Sequence, residues 1–290
     1  MIAVAVLTPD PNDPSYASQW PGVLERLGEA LSQAGVRAEP TPWTEHVEDA
    51  SRLARYPLVL PVIVWGYHRD HPRWLRACET WAAARLPIAN PAEVLSWNSD
   101  KLYLQRLAER GVALPHTLWV NSPTQADVDA AFEALDADEL VVKPRVSGGA
   151  WLTQRLKRGE RLDGAPEGPA LIQPFIPSIE TEGEFSLLFF GGRLSHVVNK
   201  RPAAGDFRIQ VQFGGQYQAL PEPPAGALEL AERVLAAIDE PLLYARIDMA
   251  KGPGGEWLLM EAELIEPDFY LAQAPDGGRL FAEAVRARLG

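Results

Sequence analysis

Up to about residue 97 strand-like and helix-like runs alternate one for one, and from Pro115 onward hairpins take their place. That break limits the chain to a parallel sheet followed by antiparallel ones, because parallel neighbours need a crossover helix and antiparallel neighbours only a turn. Residues 2–7 read as a strand, 20–34 as a helix, 36–41 as a strand, Leu58 to Trp65 as an apolar run, and 72–85 as a helix before the short segment Leu86 to Ala89. A further helix is expected after Asn98-Ser99-Asp100, whose polar side chains can cap it. Beyond Pro115 the spacing predicts strands at 116–120, 140–143, 170–173, 184–190 and 193–199, with a helix starting near 123. Gly191-Gly192 sits between two β-rich runs and predicts a tight hairpin turn. Residues 225–238 are helical in period, two strands flank Gly252 to Gly255, and a helix near 278–289 ends the sequence. The fold class is therefore α/β, becoming α+β in the second half.

A length of 290 residues suits two domains, or three small ones around a cleft. The formal charge of -12 offers no net attraction to nucleic acid phosphates and favours small-molecule partners. One cysteine, Cys78, excludes an internal disulfide framework and a cysteine-cluster metal site, and suits a reducing compartment. Met1 to Leu7 lacks a basic leader and reads as a first strand, and no apolar run approaches the roughly 18 residues that span a bilayer. A cytoplasmic protein without membrane or nucleic acid partners is expected; a homo-oligomer is left open. His46, His68, His71, His116 and His196 fall in no zinc-ligand spacing.

The chemistry is concentrated in Tyr244 to Met249 and Leu258 to Glu263. With a turn over 252–255, Asp248 is expected opposite Leu259 and Arg246 opposite Glu261. Period-two alternation then puts Arg246, Asp248, Glu261 and Glu263 on one face, with Leu259 among them, and Ala245, Ile247, Met249, Leu258, Met260 and Ala262 on the other. Carboxylates crowded beside one arginine repel each other unless cations neutralise them. Magnesium, which takes carboxylate and phosphate oxygens, is the natural counter-ion and points to a nucleotide site. A solvated sheet face whose acids pair with Arg246 is the competing reading.

Six segments, in order over residues 90–275, resemble the ATP-grasp superfamily. They are Asn98-Ser99-Asp100-Lys101, Val141-Val142-Lys143-Pro144, Ser147-Gly148-Gly149, Leu171 to Ile176 with Glu180, Asn199-Lys200-Arg201 with Gly205-Asp206-Phe207-Arg208, and the acidic hairpin. The likeness extends to glutathione synthetase, the ligases that add glutamate to ribosomal protein, and D-alanine:D-alanine ligases. Val-Lys-Pro, Val-Ser-Gly-Gly-Ala and the chain length look closer to the cyclo-ligase of cycloserine biosynthesis. One departure is Glu263, where many relatives carry asparagine, followed by Leu264-Ile265-Glu266-Pro267 in place of serine-proline-glycine.

The resemblance implies an ATP-grasp fold with an N-terminal α/β domain over 1–97 and the ATP-grasp region over 98–290. Within the latter, 115–177 would be a lid and 178–290 the metal-binding subdomain. It implies ATP and two magnesium ions, with manganese as a substitute, and a small-molecule carboxylate and amine as substrates. Lys101, Lys143, Ser147, Gly148 and Gly149 would hold phosphates, while Gln173, Phe175, Ile176, Glu180 and Leu259 would form the nucleoside site. Asp248, Glu261 and Glu263 would ligate metal. Arg208 with Lys200 or Arg201 would meet the γ-phosphate and an acyl phosphate, and Arg246 an oxyanion. Loops at Pro9-Asp10 and Trp65-Gly66-Tyr67-His68 are expected at the substrate site, by the rule that strand ends face a cleft. A kinase-like enzyme and a nucleotide-binding regulator remain as alternatives.

Overall fold

The structure is a computed structural model that describes residues 1–203, 206, 208–209 and 213–290. Its first sheet is parallel, in the order β2 (Val36–Pro42), β1 (Ile2–Thr8), β3 (Val59–Leu60). Residues 4–7 of β1 are wholly buried, as a central strand covered on both faces requires. Helices α1 (Trp20–Ser32), α2 (His71–Ala83) and α3 (Ala92–Asn98) surround it. Helix α2 starts on Asp70, which accepts from the Arg73 amide, with Pro72 in its first turn. Strand β3 is shorter than the apolar run predicts, since Pro61 brings no amide to continue the ladder. Val62, Ile63 and Val64 are nevertheless buried.

A short helix α4 (Tyr103–Glu109) leads to the second sheet, ordered β4 (Leu118–Val120), β7 (Ala170–Pro174), β5 (Glu139–Pro144), β6 (Gln154–Lys157). Helix α5 (Gln125–Ala134) opens with a capping box between Thr124 and Asp127 and covers this sheet through Val128, Ala131 and Phe132. The third sheet runs β10 (Gln216–Leu220), β9 (Arg193–Arg201), β8 (Glu184–Phe190), β11 (Tyr244–Lys251), β12 (Trp257–Glu263), all antiparallel. Gly191 and Gly192 join β8 to β9 with φ of 56° and 74°, the left-handed pair that a two-residue hairpin turn demands. Helices α6 (Ser178–Thr181), α7 (Ala227–Ala236) and α8 (Arg279–Arg288) complete the chain.

Helix α7 packs on one face of the third sheet. Helix α8 instead closes the core of the first sheet, with Leu280, Phe281 and Val285 meeting Val4, Val6, Leu27 and Leu31. Buried Asn90 and Asn98 tie the opening region to the acidic hairpin: Asn90 Nδ2 donates to the carbonyls of Tyr244 and Leu264, and Asn98 Nδ2 to that of Ala262. Asn98 ends α3 rather than capping a later helix; Asp100 accepts from the Leu102 amide in the turn before α4, which itself starts without a side-chain cap. The unpredicted strands β6 and β10 are polar edge strands, Gln-Arg-Leu-Lys and Gln-Tyr-Gln-Ala-Leu, whose sequences carry little apolar alternation. Among the described residues no helix is long and apolar enough to cross a membrane.

Candidate active site

The acidic hairpin forms, but its register differs from the sequence expectation. Arg246 pairs with Glu263 and Asp248 with Glu261, whereas beyond a break between Asp248 and Met249 the partners become Leu259, Leu258 and Trp257. Met260 is the extra residue of a β-bulge, and it reverses the alternation of β12. Leu259 therefore joins Met249, Ile247 and Ala262 in the core instead of lining a nucleoside pocket. Met260 turns into the cleft, and Leu258 packs with Ala250, Ile176 and Ile179 on that same side. The four charged residues keep the common face that the period-two reading gave them. Leu259→Ala should thus cost about 2–5 kcal/mol in unfolding free energy and leave MgADP affinity unchanged, as thermal melting and calorimetry would record.

That face lines a cleft of ≈700 Å³ between the three sheets. Asp248 is enclosed: Arg246 Nη2 donates to its Oδ2 at 3.0 Å, Ser186 Oγ to its Oδ1 at 2.5 Å, and Lys200 Nζ lies 3.1 Å from Oδ2. Burial raises its carboxyl, but Arg246 and Lys200 outweigh burial and hold it down at about 2. Arg246 also donates to Glu263. Glu263 is pushed up to about 7, because burial, with Asp248 and Glu261 nearby, prevails over that one guanidinium. Glu261 is placed differently, with Lys101 Nζ at 3.4 Å and Lys143 Nζ at 3.8 Å. Burial raises it too, yet the two ammonium groups keep it below its ordinary value.

These contacts test the fit to magnesium. Among the described residues no three of His, Cys, Asp and Glu are grouped so as to hold a metal ion by themselves. Glu261 and Glu263 are partly exposed to the cleft, with side-chain exposures of 31% each, and offer only hard oxygen donors. That donor set suits an ion that takes one or two carboxylates and completes its shell with phosphate oxygens and water. Asp248, expected as a third ligand, has both oxygens engaged by cations, so ligation by it requires Lys200 or Arg246 to yield. Lys200, expected at the γ-phosphate, is buried between Glu184 at 2.6 Å and Asp248, with its ammonium stabilised by both despite its burial. The β8–β9 register sets Lys200 directly across from Glu184, which is why its charge is already neutralised.

The remaining phosphate candidates converge. Lys101 Nζ donates to Ser147 Oγ at 3.2 Å and to its carbonyl at 3.3 Å, so the lysine also holds the first residue of the glycine-rich segment. Gly148 lies against His68, and a Cβ there would meet Nδ1 at 3.0 Å, so a larger residue would require the imidazole to give way by a few tenths of an ångström. His68 Nδ1 is buried without a hydrogen-bond partner, and burial, reinforced by Arg69 and Lys101, lowers its pKa to about 4. Arg208 lines the cleft, paired with Asp206 at 2.7 Å and stacked on Phe213. Gly205 and Phe207 of that segment lie outside the described residues. Arg201 is exposed and donates to Asn199.

The expected nucleoside segment does not line the cleft. Gln173 donates to Thr117, Phe175 stacks under the Arg155 guanidinium at 3.6 Å, and Glu180 pairs with the same arginine at 2.6 Å. Ile176 does approach it through cleft-lining Met260 and Ile209. Of the N-terminal loops, Trp65, Gly66, Tyr67 and His68 reach the cleft, while Pro9 and Asp10 do not. Sequence reasoning missed Tyr16, Glu184, Tyr217, Met260 and Tyr270, and noted Glu266 only as a departure; all of these line the cleft. Only the acidic pair carried a signal: Glu184 begins a strand of otherwise apolar residues, and Glu266 replaces part of a serine-proline-glycine continuation.

Residues 4–90 match a family described as D-cycloserine synthetase DcsG, N-terminal domain. The chain is 28% identical over 285 residues to the cycloserine biosynthesis protein DcsG of Streptomyces lavendulae, covering 91% of this chain and 92% of that protein. It is 28% identical over 268 residues to the glutathione synthetase of Prochlorococcus marinus (strain MIT 9313), covering 85% and 79%. The crystal structure of D-cycloserine synthetase DcsG matches with a TM-score of 0.82 at 26% identity, over 99% of this chain and 100% of that one. A D-alanine–D-alanine ligase from Bacillus anthracis matches with a TM-score of 0.71 over 99% of each chain; at 17% identity this likeness concerns the fold.

Proposed function

We propose that this chain, which is an ATP-grasp ligase that forms C–N bonds, works through an acyl phosphate on a small amino-acid-like substrate, and that the attacking nitrogen belongs to the same molecule as the acid. The observation that carries the reading is Glu261, a cleft carboxylate that two lysines approach at 3.4 and 3.8 Å without closing on it. Contacts of that length leave Lys101 and Lys143 available as point charges for phosphate oxygens. Releasing them frees Glu261, beside Glu263, for a metal ion. The ring-closing choice rests on the likeness to DcsG along nearly the whole chain.

Two magnesium ions, replaceable by manganese, are the proposed complement, with Glu261 and Glu263 as the main protein donors and Asp248 next to them. Magnesium bound there supplies charge compensation at the β- and γ-phosphate oxygens. The residues of the chain do the rest. Lys101 and Lys143 orient the phosphates, and Arg208 faces the transferred group from the cleft wall. Ser147 to Gly149 closes over the site and keeps water from an activated acyl group. The carboxylate oxygen takes the γ-phosphoryl group and ADP is the leaving group; the nitrogen then attacks the carbonyl carbon of the acyl phosphate, and phosphate departs as the nitrogen gives up its proton to it or to water. Arg246 donates to the developing oxyanion. Lys200 acts as a positioning residue that holds Asp248 and Glu184 in place.

The test supplies ATP, magnesium and a panel of amino-acid-like acids to the full chain, with hydroxylamine present or absent. ADP release that depends on the acid, and diversion of the acyl group to a hydroxamate, are the expected results. One compound carrying both acid and nitrogen should suffice for turnover. Accumulation of a stable phosphorylated product would support a kinase instead, and nucleotide binding with no ADP from any acid would support a regulator.

A further inference from the structure

The carboxylates deep in the cleft have cationic partners, with one exception. Glu184 pairs with Lys200, Asp248 with Lys200 and Arg246, Glu261 with Lys101 and Lys143, and Glu263 with Arg246. Glu266 lines the same cleft, is half-buried, and makes no ion pair or side-chain hydrogen bond to any described residue. A carboxylate withdrawn from water without a partner is costly, so such a group in a binding cleft calls for a cation from outside. Burial, with Glu263 nearby, pushes the Glu266 carboxyl up to about 8, and a cation seated against it would draw it back to the charged form.

The surroundings define what kind of cation. The wall on the N-terminal side is aromatic, formed by Tyr16, Trp65 and Tyr67. Tyr16 and Trp65 have ring centroids 5.7 Å apart at 58°, so they stand as a corner and not as a flat stack. Both phenols feel Glu266: after burial, its charge is among the influences that raise Tyr16, and the leading one that raises Tyr67. Aromatic faces beside a carboxylate suit an alkylammonium or other organic nitrogen cation, which gains from the ring quadrupoles as well as the charge. A magnesium ion suits this corner poorly, since it prefers an all-oxygen shell. Of the cations that line the cleft, Arg26 alone has no ion pair among the described residues, and it too lies beyond ion-pair distance of Glu266.

We infer that Glu266, with the aromatic corner of Tyr16, Trp65 and Tyr67, binds a cationic nitrogen of the substrate and selects acids that carry one. The assignment rests on the ligase reading above and names its substrate class: a carboxylic acid with a protonated amine a short distance from the carboxylate that Glu261 and its lysines face. The placement separates two tasks. Phosphate and metal are handled at β11 and β12, and the amine is handled at the segment after β12 together with the N-terminal loops.

The test uses the full chain with MgADP bound and two probe pairs, each tested as D and L forms: alanine against lactate, and serine against glycerate. Tryptophan fluorescence and calorimetry read binding. The wild type should prefer the amino member of at least one pair, and Glu266→Gln should weaken that member by roughly 30-fold or more while leaving its hydroxy partner and MgADP unchanged. Glu266→Asp, which keeps the charge, should retain part of the preference, a result that a purely structural role would not give. The inference is overturned if Glu266→Gln leaves the preference intact, if hydroxy acids bind the wild type as well as amino acids do, if MgADP is weakened in parallel, or if MgADP binds and no probe does. Failure of the wild type to bind MgADP at all would instead remove the ligase reading beneath it.

Discussion

Lys200→Met is expected to lower the unfolding free energy by about 3–5 kcal/mol, the cost of leaving a buried charge without its partner. Lys200 is only 1% exposed, and its ammonium is the contact shared by Glu184 and Asp248. Arg246 still faces Asp248 in the variant, but Glu184 retains no described cationic partner. Burial already raises Glu184 against the pull of Lys200, so without the lysine its carboxyl should hold its proton more tightly still. At roughly 2–4 °C per kcal/mol for a chain of this order of size, the melting temperature should fall by about 10 °C. Adding Glu184→Gln should recover part of that loss, because it removes the stranded charge. A Lys200→Met melt within one degree of the wild type would contradict this account of the buried triad.

Glu261→Gln is expected to reduce turnover by about 10²–10³-fold, the equivalent of several kcal/mol of lost charge stabilisation at 1.36 kcal/mol per decade. The amide keeps the shape and one oxygen but gives up the charge that attracts Lys101 and Lys143. Those lysines are the reason Glu261 stays ionised, so the substitution also leaves them without a counter-charge in the absence of nucleotide. Lys143, whose ammonium burial already disfavours, should then lose its proton more readily. The magnesium concentration for half-maximal rate should rise, and far-ultraviolet circular dichroism should stay that of the wild type. Unchanged turnover with an unchanged magnesium requirement would take Glu261 out of the chemistry.

Much of this architecture can be read from one-dimensional patterns. Residues 4–7 are apolar without interruption and lie in a strand buried on both sides, while Gly191-Gly192 specifies its turn by backbone freedom alone. Lys101, Lys143, Ser147, Gly148, Arg208, Arg246, Asp248, Glu261 and Glu263 come from separate stretches of chain and line one cleft. What stayed hidden has identifiable causes. Nothing in the composition of Leu258 to Glu263 announces that Met260 is an added residue, and the consequent swap of Leu259 and Met260 is invisible to a strict alternation rule. The neutralisation of Lys200 depends on which residue of β8 lies across from it, a relation fixed by a distant hairpin. Strands β6 and β10 escaped because an edge strand has only one neighbour and can remain polar.

The irregularity at Met260 also sets where this chain can tolerate changes in length. Residues may be gained or lost in the turn over Gly252 to Gly255 with only local repair, since that turn lies outside the stretch that sorts side chains between core and cleft. Removal of Met260 itself would restore a regular strand in which Leu259 stays opposite Met249 in the core and Glu261 stays opposite Asp248 in the cleft, so only one side chain of the cleft wall is lost. Loss of Met260 should therefore spare the fold and the placement of every charged group, whereas loss of its neighbour Glu261 or Leu259 would remove a cleft carboxylate or empty a core socket.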